Sequence, residues 1–345
     1  MSKIHALVIA AALVGGTYSA LCAPVTVMKP AAGAKIARLD PVINSLIAPN
    51  AAIEKAATGF VFVEGPMWRQ GAVWFSDLRG NKMYKMTPDG KVTMQIDHSG
   101  GLASFPAGAN GGSNAMVNDK DGSVLMEQHG ARRIVRLDNA LHITPFLEKY
   151  EGKRFNSPND MTFAPDGALW FTDPPYGFYD PAHPNADIDK DPRKEIKFNG
   201  VYRYKDGKLT AVITDLTRPN GIDFTADGKT LYVSNTENTP MIHRYDVAAD
   251  GSVSNHKIFA DLTKATGDGV PDGLRVDSKG DLWATGPGGI RIFSPAGKVL
   301  GQIQLPEVAA NLTWGDDGKT LYIMGSTSVY RLKVLVTGRP LLYAK

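Results

Sequence analysis

Six copies of one short phrase constrain this chain more than any other feature of its sequence. Each copy begins with a polar residue, continues as an alternating apolar run, turns at a glycine and returns as a second apolar run, as in SPNDMTFAPDGALWFTD from Ser157 to Asp173. The copies lie 39 to 61 residues apart, a spacing that suits a four-stranded unit with its loops. Their leading polar residues are Glu64, Asn114, Asn159, Asn220, Asp272 and Asn311.

The turns inside these copies favour tight hairpins. PDG, ADG and DDG occur there, and Asp and Gly accept the positive φ angles that such turns require. Behind each hairpin lies a further strand-like run, for example KMYKM or MIHRYDV. Six units of two hairpins predict an all-β, six-bladed β-propeller with four-stranded blades. The sequence has no 3.6-residue periodicity that would support helical or leucine-rich repeats, and no linker divides the series into two domains.

The sixth unit is one strand short, because only a tail follows TSVYRLKVLV. The segment from Ala51 to Val63 precedes the first unit and can supply the missing strand. We therefore expect this N-terminal strand to pair with the last blade and close the ring, which removes two exposed sheet edges. The domain plan is a propeller over residues 51–345, preceded by an N-terminal extension, residues 23–50, that wraps the outside.

The first 22 residues have the pattern of a secretory signal peptide. Lys3 and His5 precede an apolar run from Ala6 to Val14, and small residues follow, so we expect cleavage near residues 20–23. A retained membrane anchor is the alternative. Cys22 is the only cysteine, and the mature protein should therefore have no disulfide and no thiol chemistry. These features predict a periplasmic or secreted protein with no membrane attachment after signal cleavage.

The charge balance narrows the range of partners. The formal net charge is only +3 over 345 residues, and no basic block occurs. Nucleic acid and anionic membranes are therefore not expected partners.

The leading residues of the six copies should form a ring, because the first strand of each blade lines the central channel of a propeller. They carry oxygen donors, and two of them are carboxylates that would repel each other without a cation. We therefore predict a divalent metal site with four protein ligands: Glu64, Asn159, Asn220 and Asp272. The ligand set favours Ca²⁺, with Mg²⁺, Mn²⁺ or Zn²⁺ as alternatives. For any single Asn, a role in forming a turn is the competing interpretation.

The ends of the second strands should lie at the same mouth, since an antiparallel hairpin returns to the end from which it starts. The residues at those ends are Asp77, His129, Asp173 and Asn235. His129 is expected to move a proton or to bind a substrate hydroxyl, and the alternative is a histidine that only bonds to the surrounding structure. The expected substrate contacts are Asn114, Asn159, Asp173 and Tyr176.

Two long loops also fall at this mouth, residues 97–112 and 174–195. Loops of this length are often functional, and we expect them to roof the pocket, with ordinary exposed insertions as the alternative. Candidate apolar walls are Phe105, Tyr176, Phe178 and Tyr179. The DIDKD stretch in the second loop lacks the Gly and the distal Glu of a calcium-binding loop, and we interpret it as solvated charge.

Several of these phrases resemble signatures of the senescence marker protein/gluconolactonase/luciferin-regenerating enzyme family, over roughly residues 51–336: EGPMW, SPNDM, RPNGIDF and VPDGLRVD. GSNAM and EQHGARR look more like its bacterial gluconolactonase branch. The resemblance implies a divalent metal in the channel, often Ca²⁺, with Glu64, Asn220 and Asp272 as ligands and Asn159 as fourth ligand or substrate contact. It also implies hydrolysis of a lactone or, as in the diisopropylfluorophosphatase relatives, of a phosphoester. Ser157 departs from regucalcin-like members, which have an arginine at this position.

Together these features predict a metal-dependent hydrolase that opens a small-molecule lactone, a sugar lactone such as gluconolactone. Asp272 is expected to orient or deprotonate the attacking water, or to be the nucleophile of a covalent variant. Two alternatives remain open. One is a related phosphotriesterase-type hydrolase, and the other is a propeller binding module in which the metal is structural.

Overall fold

Nearly all the regular structure of this protein is β-strand. A computed structural model describes residues 23–236 and 240–343. The helices of this part are three short 3-10 turns: Pro41–Ser45, Tyr176–Phe178 and Ile188–Lys190. None of the helices described is long and apolar enough to cross a membrane. The expected signal peptide, residues 1–22, lies outside the described residues.

The strands follow one another as antiparallel hairpins. The N-terminal segment contains β1 (Val25–Pro30), β2 (Lys35–Arg38) and β3 (Ile53–Thr58). Blade one contains β4 (Val63–Arg69), β5 (Ala72–Asp77), β6 (Lys82–Met86) and β7 (Val92–Asp97). Blade two contains β8 (Ser113–Asn118), β9 (Val124–Gln128), β10 (Arg133–Leu137) and β11 (Ile143–Leu147), and a small hairpin follows it, β12 (Lys149–Tyr150) and β13 (Lys153–Arg154). Blade three contains β14 (Met161–Phe163), β15 (Leu169–Asp173), β16 (Gly200–Lys205) and β17 (Lys208–Ile213).

The second half of the chain repeats this arrangement. Blade four contains β18 (Pro219–Phe224), β19 (Thr230–Asn235), β20 (Met241–Val247) and β21 (Val253–Asp261). Blade five contains β22 (Leu274–Val276), β23 (Leu282–Gly286), β24 (Gly289–Phe293) and β25 (Val299–Gln304). Blade six begins with β26 (Ala309–Gly315), β27 (Thr320–Gly325) and β28 (Ser328–Lys333). The prediction of a six-bladed propeller is thus confirmed.

The N-terminal strand closes the ring as expected. Strand β3 pairs antiparallel with β28 and becomes the fourth strand of blade six. Across this pair Arg331 Nε donates to Glu54 Oε2 at 2.6 Å. Because the first and last parts of the chain share one sheet, the ring cannot open without breaking a β-ladder.

The extension before β3 adds outer strands to two blades. Strand β1 pairs with β3 as a fifth strand of blade six, and β2 pairs with β25 as a fifth strand of blade five. After β2 the 3-10 turn Pro41–Ser45 buries Ile43 against residues of blades five and six. The extension therefore covers the outer edges of both blades.

The core lies between neighbouring blades, because alternate residues of each strand face opposite sides of the sheet. Trp170 of blade three packs edge-on against Phe224 of blade four, with ring centroids 5.3 Å apart. Trp283 of blade five packs in the same way against Trp314 of blade six at 5.5 Å. Trp170 and Trp283 are fully buried, so these tryptophans belong to the core. Buried contacts of this kind join neighbouring blades around the channel.

The C-terminal segment closes the channel at the end where the first strands finish. Leu341, Leu342 and Tyr343 line a small cavity there with residues from the ends of several first strands. Arg339 Nε donates to Asp223 Oδ1 at 2.6 Å, and both side chains are buried. This buried ion pair fixes the segment at the end of the channel opposite to the site described next.

Candidate active site in the central channel

A cavity of about 320 Å³ opens where the first strands begin, a volume at the small end of ligand sites in proteins. Five of the six leading residues line it, and we call them the ring residues: Glu64, Asn114, Asn159, Asn220 and Asp272. His129 and Tyr176 line the same cavity. The register of the sequence repeat thus brings together residues from five different blades.

Irregular pairing at the start of the first strands directs the ring residues toward the channel. The register of β4 against β5 shifts between Glu64 and Met67, and that of β18 against β19 shifts between Pro219 and Ile222. A shift of this kind is a β-bulge, which bends the strand and changes where a side chain points. The sequence repeat predicted the position of these residues, but the bulge that aims them is a property of the folded sheet.

The glycine that follows a ring residue lets the first strands of neighbouring blades come close together. A Cβ atom at Gly65 would lie 2.7 Å from Ala115 Cα, and one at Gly221 would lie 2.7 Å from Leu274 N. The Gly221 amide donates to the Asp272 carbonyl oxygen of the next blade at 3.2 Å. These close approaches give a physical reason for the glycine of the EGP and PNG phrases.

Hydroxyl groups of the second strands fix the main chain of the ring residues by hydrogen bonds. They donate to the main-chain oxygen of a ring residue in the next blade: Ser76 to Asn114 at 2.8 Å, Thr172 to Asn220 at 2.8 Å and Ser234 to Asp272 at 2.6 Å. In blade two the equivalent position holds Glu127, a buried carboxyl group that sequence reasoning did not single out. Burial, with the nearby charges of Asp160 and Asp173, raises the pKa of Glu127 well above its ordinary value.

Two buried carboxyl groups face one another across the ring. Burial raises the pKa of Glu64 and that of Asp272, and the charge of Glu64 raises the pKa of Asp272 further. Glu64 Oε2 accepts hydrogen bonds from Gly65 N at 2.7 Å and from Asn311 Nδ2 at 3.0 Å. Asn311, a further candidate ligand by register, therefore orients Glu64 and does not line the cavity.

The amide side chains complete a set of oxygen donors. Asn220 Nδ2 donates to Thr236 Oγ1 at 3.0 Å, an orientation that leaves the amide oxygen available as a ligand. The Asn159 main-chain N–H donates to the Thr172 carbonyl oxygen at 2.9 Å, which fixes the position of this residue. Two carboxylates that repel each other and two amide oxygens are a donor set that suits a hard divalent cation.

A buried ion pair crosses the channel beside the ring. The Arg275 guanidinium donates to both carboxylate oxygens of Asp160, at 2.9 and 3.1 Å. Asp160 is fully buried, so its charge needs this partner. Sequence reasoning missed both residues, although Asp160 follows Asn159 in the PND phrase and Arg275 lies in GLRVD.

His129 is a neutral imidazole in this environment. Burial lowers the pKa of its ring to about 3, and the side chain is 1% exposed. Asn114 Nδ2 lies 3.2 Å from His129 Nε2. Since an amide nitrogen donates, Nε2 is the acceptor in this pair, and His129 at neutral pH can hold Asn114 or a polar group in the cavity without adding charge.

The structure does not bring Asp173 into the cavity, contrary to its expected role as a substrate contact. Its carboxylate accepts hydrogen bonds from the main-chain N–H groups of Asn156 at 2.8 Å and Ser157 at 2.7 Å. Asp77 likewise accepts from the N–H groups of Val61 and Phe62. The reason is that the turn before each first strand presents unpaired N–H groups to the end of the second strand, and these carboxylates satisfy them.

The two loops roof the cavity through fewer aromatic residues than expected. Tyr176 and Tyr179 line it. Phe178 is buried between two guanidinium groups, those of Arg132 at 5.0 Å and Arg193 at 5.2 Å, and does not form a cavity wall. Phe105 packs against Gly111 inside its own loop. These two of the four aromatic candidates therefore support the roof without lining the cavity.

Ser157, shortly before β14, and Asp189, in the second roof loop, both have partners within the protein. Ser157 Oγ donates to the Pro174 carbonyl oxygen at 2.6 Å and accepts from Gly177 N at 2.8 Å, so it ties the roof loop to the ring. Asp189, inside the DIDKD stretch, accepts from Asn199 Nδ2 at 2.9 Å and pairs with Arg218. The interpretation of this stretch as solvated charge is thus wrong for Asp189.

Comparisons with known proteins agree with this architecture. The model of the SMP-30/Gluconolactonase/LRE-like region matches residues 62–327. A gluconolactonase of Zymomonas mobilis is 35% identical over 88% of this chain and 87% of its own length. The solved structure of a gluconolactonase from Xanthomonas campestris has a TM-score of 0.78 at 30% identity, covering 89% of this chain and 97% of its own.

A more distant structure shares the fold. Regucalcin from Agrobacterium tumefaciens, described as a calcium-binding protein, has a TM-score of 0.65 at 19% identity, covering 83% of this chain and 95% of its own. Its similarity supports the propeller architecture.

The chain belongs to the SMP-30/gluconolactonase/LRE-like family of six-bladed propellers.

Proposed function

We propose that this protein hydrolyses the ring ester of a sugar lactone with the help of a divalent cation held in the central channel. The enzyme class, a lactone hydrolase, follows from the family to which the chain belongs. The observation that carries the metal dependence is that four oxygen-donor side chains line one cavity: Glu64, Asn159, Asn220 and Asp272. The binding of Ca²⁺ by a regucalcin of the same fold favours that cation, with Mg²⁺, Mn²⁺ or Zn²⁺ as alternatives.

Glu64, Asn159, Asn220 and Asp272 would hold the cation. A divalent cation in such a site polarises a carbonyl oxygen and lowers the pKa of a water that it binds. The carboxylate oxygens of Glu64 are already oriented by Gly65 and Asn311, so little conformational entropy is lost when the site fills.

Asp272 is our candidate for the group that accepts the proton of the attacking water. Its carboxylate lines the same cavity as the other three proposed ligands, so it can reach a water bound there and accept its proton. In the direct route the water oxygen bonds to the carbonyl carbon, the ring C–O bond breaks and the ring oxygen takes a proton, leaving an open hydroxy acid. In the alternative route an Asp272 oxygen bonds to that carbon while the ring C–O bond breaks and the ring oxygen takes a proton. Water then cleaves the resulting mixed anhydride, which releases the hydroxy acid and restores the Asp272 carboxylate.

The cavity walls bind and orient the lactone. Asn114 and His129 form a neutral polar pair that can bind sugar hydroxyl groups. Tyr176 and Tyr179 supply aromatic faces at the roof, against which the apolar C–H face of a sugar ring can pack. Asp173, which bonds to main-chain N–H groups outside the cavity, has no place in this scheme.

The test is a lactonase assay on metal-free protein. Purified protein treated with a chelator should lose hydrolysis of glucono-1,5-lactone and regain it when Ca²⁺, Mg²⁺, Mn²⁺ or Zn²⁺ is returned. Asp272→Asn keeps the side-chain shape but removes the charge, and we expect kcat/KM to fall at least about 100-fold with a cooperative unfolding transition retained. Asp89→Asn, an exposed turn carboxylate far from the cavity, is the matched control.

Several outcomes would contradict the proposal. Full activity of Asp272→Asn would remove the role assigned to this residue. Absence of turnover on a lactone panel with every divalent ion, together with metal binding measured by calorimetry, would favour a binding module. Faster turnover of a fluorophosphate ester than of any lactone would favour the phosphotriesterase alternative.

We also propose that the protein is exported to the periplasm or beyond, on the basis of residues 1–22 alone. N-terminal sequencing of the mature protein from cell fractions tests this. An intact Met1 in the cytoplasmic fraction would contradict it.

A further inference from the structure

Two guanidinium groups line the cavity above the ring residues, and their surroundings differ. Arg218 forms an ion pair with Asp189 and donates a hydrogen bond to the carbonyl oxygen of the preceding residue, Thr217. Arg79 has no carboxylate oxygen within 4.0 Å in the part of the chain that is described, residues 23–236 and 240–343. Arg79 is thus a cation of the cavity wall whose charge is not balanced by an ion pair there.

The side chain of Arg79 is held in place by two contacts. Its guanidinium lies over the ring of Phe62, 4.8 Å from the centroid, and Arg79 Nε donates to Asn110 Oδ1 at 3.0 Å. Asn110 in turn donates from Nδ2 to the Tyr176 carbonyl oxygen at 3.3 Å. Arg79 therefore sits in a chain of contacts that connects the turn after β5 with both roof loops.

The main chain beside Arg79 is also fixed. Leu78 N donates to the Phe62 carbonyl oxygen at 2.9 Å, and the Leu78 carbonyl oxygen accepts from Gly112 N at 2.8 Å. Gly80 N donates to Asp77 Oδ1 at 3.1 Å. With Nε bonded to Asn110 and one face covered by Phe62, the terminal nitrogens are the groups that remain to bind a ligand.

The Arg79 side chain is partly buried, and this burial lowers the pKa of its guanidinium. It stays charged at every physiological pH. Among the residues that the structure describes, the other carboxylates at the cavity do not neutralise Arg79: Glu64 and Asp272 belong to the proposed cation site, and Asp187, at the rim, pairs with Lys190 at 3.1 Å. A partly dehydrated, immobilised cation of this kind favours an anion from outside the chain.

We propose that Arg79 binds an anionic substituent of the substrate, so that the enzyme prefers sugar lactones that carry a carboxylate, phosphate or sulfonate group away from the ring ester. The inference rests on the proposed function, since it places the ring ester at the cation site. Because Arg79 and the ring residues line one cavity of about 320 Å³, a single monosaccharide can reach both. The planar fork of the guanidinium suits two parallel hydrogen bonds to such an oxyanion.

The experiment compares three lactones on wild-type protein and on Arg79→Gln. Glucono-1,5-lactone is the neutral substrate, glucaro-1,4-lactone carries a carboxylate, and 6-phosphoglucono-1,5-lactone carries a phosphate. We expect the ratio of kcat/KM for an anionic lactone to that for the neutral lactone to fall about 10- to 100-fold in Arg79→Gln, mostly through KM. The anionic lactone that loses more identifies the preferred oxyanion.

Two further variants separate specific binding from general effects. Arg193→Gln removes a cation of the same roof that is already paired with Asp191, and its ratio should stay within about 2-fold of wild type. Arg79→Lys keeps the charge without the planar fork and should recover only part of the preference. The preference of the wild type should also weaken as NaCl is raised.

The proposal is overturned if Arg79→Gln lowers kcat/KM for neutral and anionic lactones by the same factor, or leaves both unchanged. If no lactone is hydrolysed by the wild type, the proposed function fails, but Arg79 can still be tested. In that case calorimetric titration with the open acids gluconate, glucarate and 6-phosphogluconate should show tighter binding of glucarate or 6-phosphogluconate than of gluconate, and this difference should be lost in Arg79→Gln. Equal affinities would refute the role of Arg79 independently of turnover.

Discussion

Gly221→Ala tests whether contacts between the first strands of neighbouring blades position the active site. A Cβ atom at residue 221 would lie 2.7 Å from Leu274 N and closer still to the Asp272 carbonyl oxygen. Ordinary contacts begin near 3.4 Å. Both opposing atoms belong to the main chain, so no side-chain rotation can relieve the overlap, and the two blades must separate.

The loss in the free energy of unfolding can be estimated from the overlap and from the hydrogen bonds beside residue 221. Overpacking in a well-packed interior costs about 1–3 kcal/mol. Two hydrogen bonds to the Asp272 carbonyl oxygen would also lengthen: the one from Gly221 N at 3.2 Å and the one from Ser234 Oγ at 2.6 Å. Weakening each of them costs about 1 kcal/mol of stability. The expected loss in the free energy of unfolding is therefore about 3–5 kcal/mol. A displacement of Asp272 by about 1 Å should also lower kcat on the order of 100-fold.

Urea denaturation followed by far-UV circular dichroism gives the free energy of unfolding, and lactone turnover gives kcat. The matched control is Gly286→Ala, since a Cβ atom there meets only Leu262 Cδ1, the end of a flexible side chain, at 3.2 Å. We expect this control to stay within about 1 kcal/mol of the wild type. A Gly221→Ala protein with unchanged stability and turnover would refute the view that this close approach sets the geometry of the ring.

Two other variants test buried charges elsewhere in the propeller. Burial, together with the charge of Asp277, raises the pKa of Asp281 to about 6. The pKa of an aspartate in an unfolded chain is about 3.9. The contribution of Asp281 to the free energy of unfolding is therefore complete below pH 4 and is lost as the pH rises through 6. Asp281→Asn should therefore match the wild type at pH 4 and exceed its free energy of unfolding by about 1–2 kcal/mol at pH 7.5, and equal stability of the two proteins at pH 7.5 would count against this reasoning. Arg339→Met leaves Asp223 buried without its partner and should lower the free energy of unfolding, measured by urea denaturation, by about 3–5 kcal/mol. The double variant with Asp223→Asn should recover part of this loss. A loss below about 1 kcal/mol in Arg339→Met would show that the ion pair does not hold the C-terminal segment.

Much of the site followed from the register of the sequence repeat. Equivalent positions in equivalent blades must face the same channel, so Glu64, Asn159, Asn220 and Asp272 were predicted to converge, and they line one cavity. The same argument worked less well at the ends of the second strands. Asp173 lies at the expected level of the channel, but its carboxylate turns toward unpaired main-chain N–H groups.

Side-chain contacts between different blades could not be predicted from the sequence. The Arg275–Asp160 pair joins residues 115 positions apart, and neither residue carries a local signal of its partner. Arg79 looks like an ordinary turn residue in the sequence. Its importance depends on Phe62 and Asn110, which only the folded chain brings to it.

The sequence by itself determined the number of blades, the closure of the ring by the N-terminal strand and the family, because each of these depends on patterns that recur along the chain. Only the tertiary structure decided the directions of side chains and their charge states. These depend on which groups from other blades come within hydrogen-bonding distance and on how far water is excluded. For that reason His129 is neutral, the Asp173 carboxylate accepts hydrogen bonds from main-chain N–H groups, and Arg79 lies against Phe62 and Asn110.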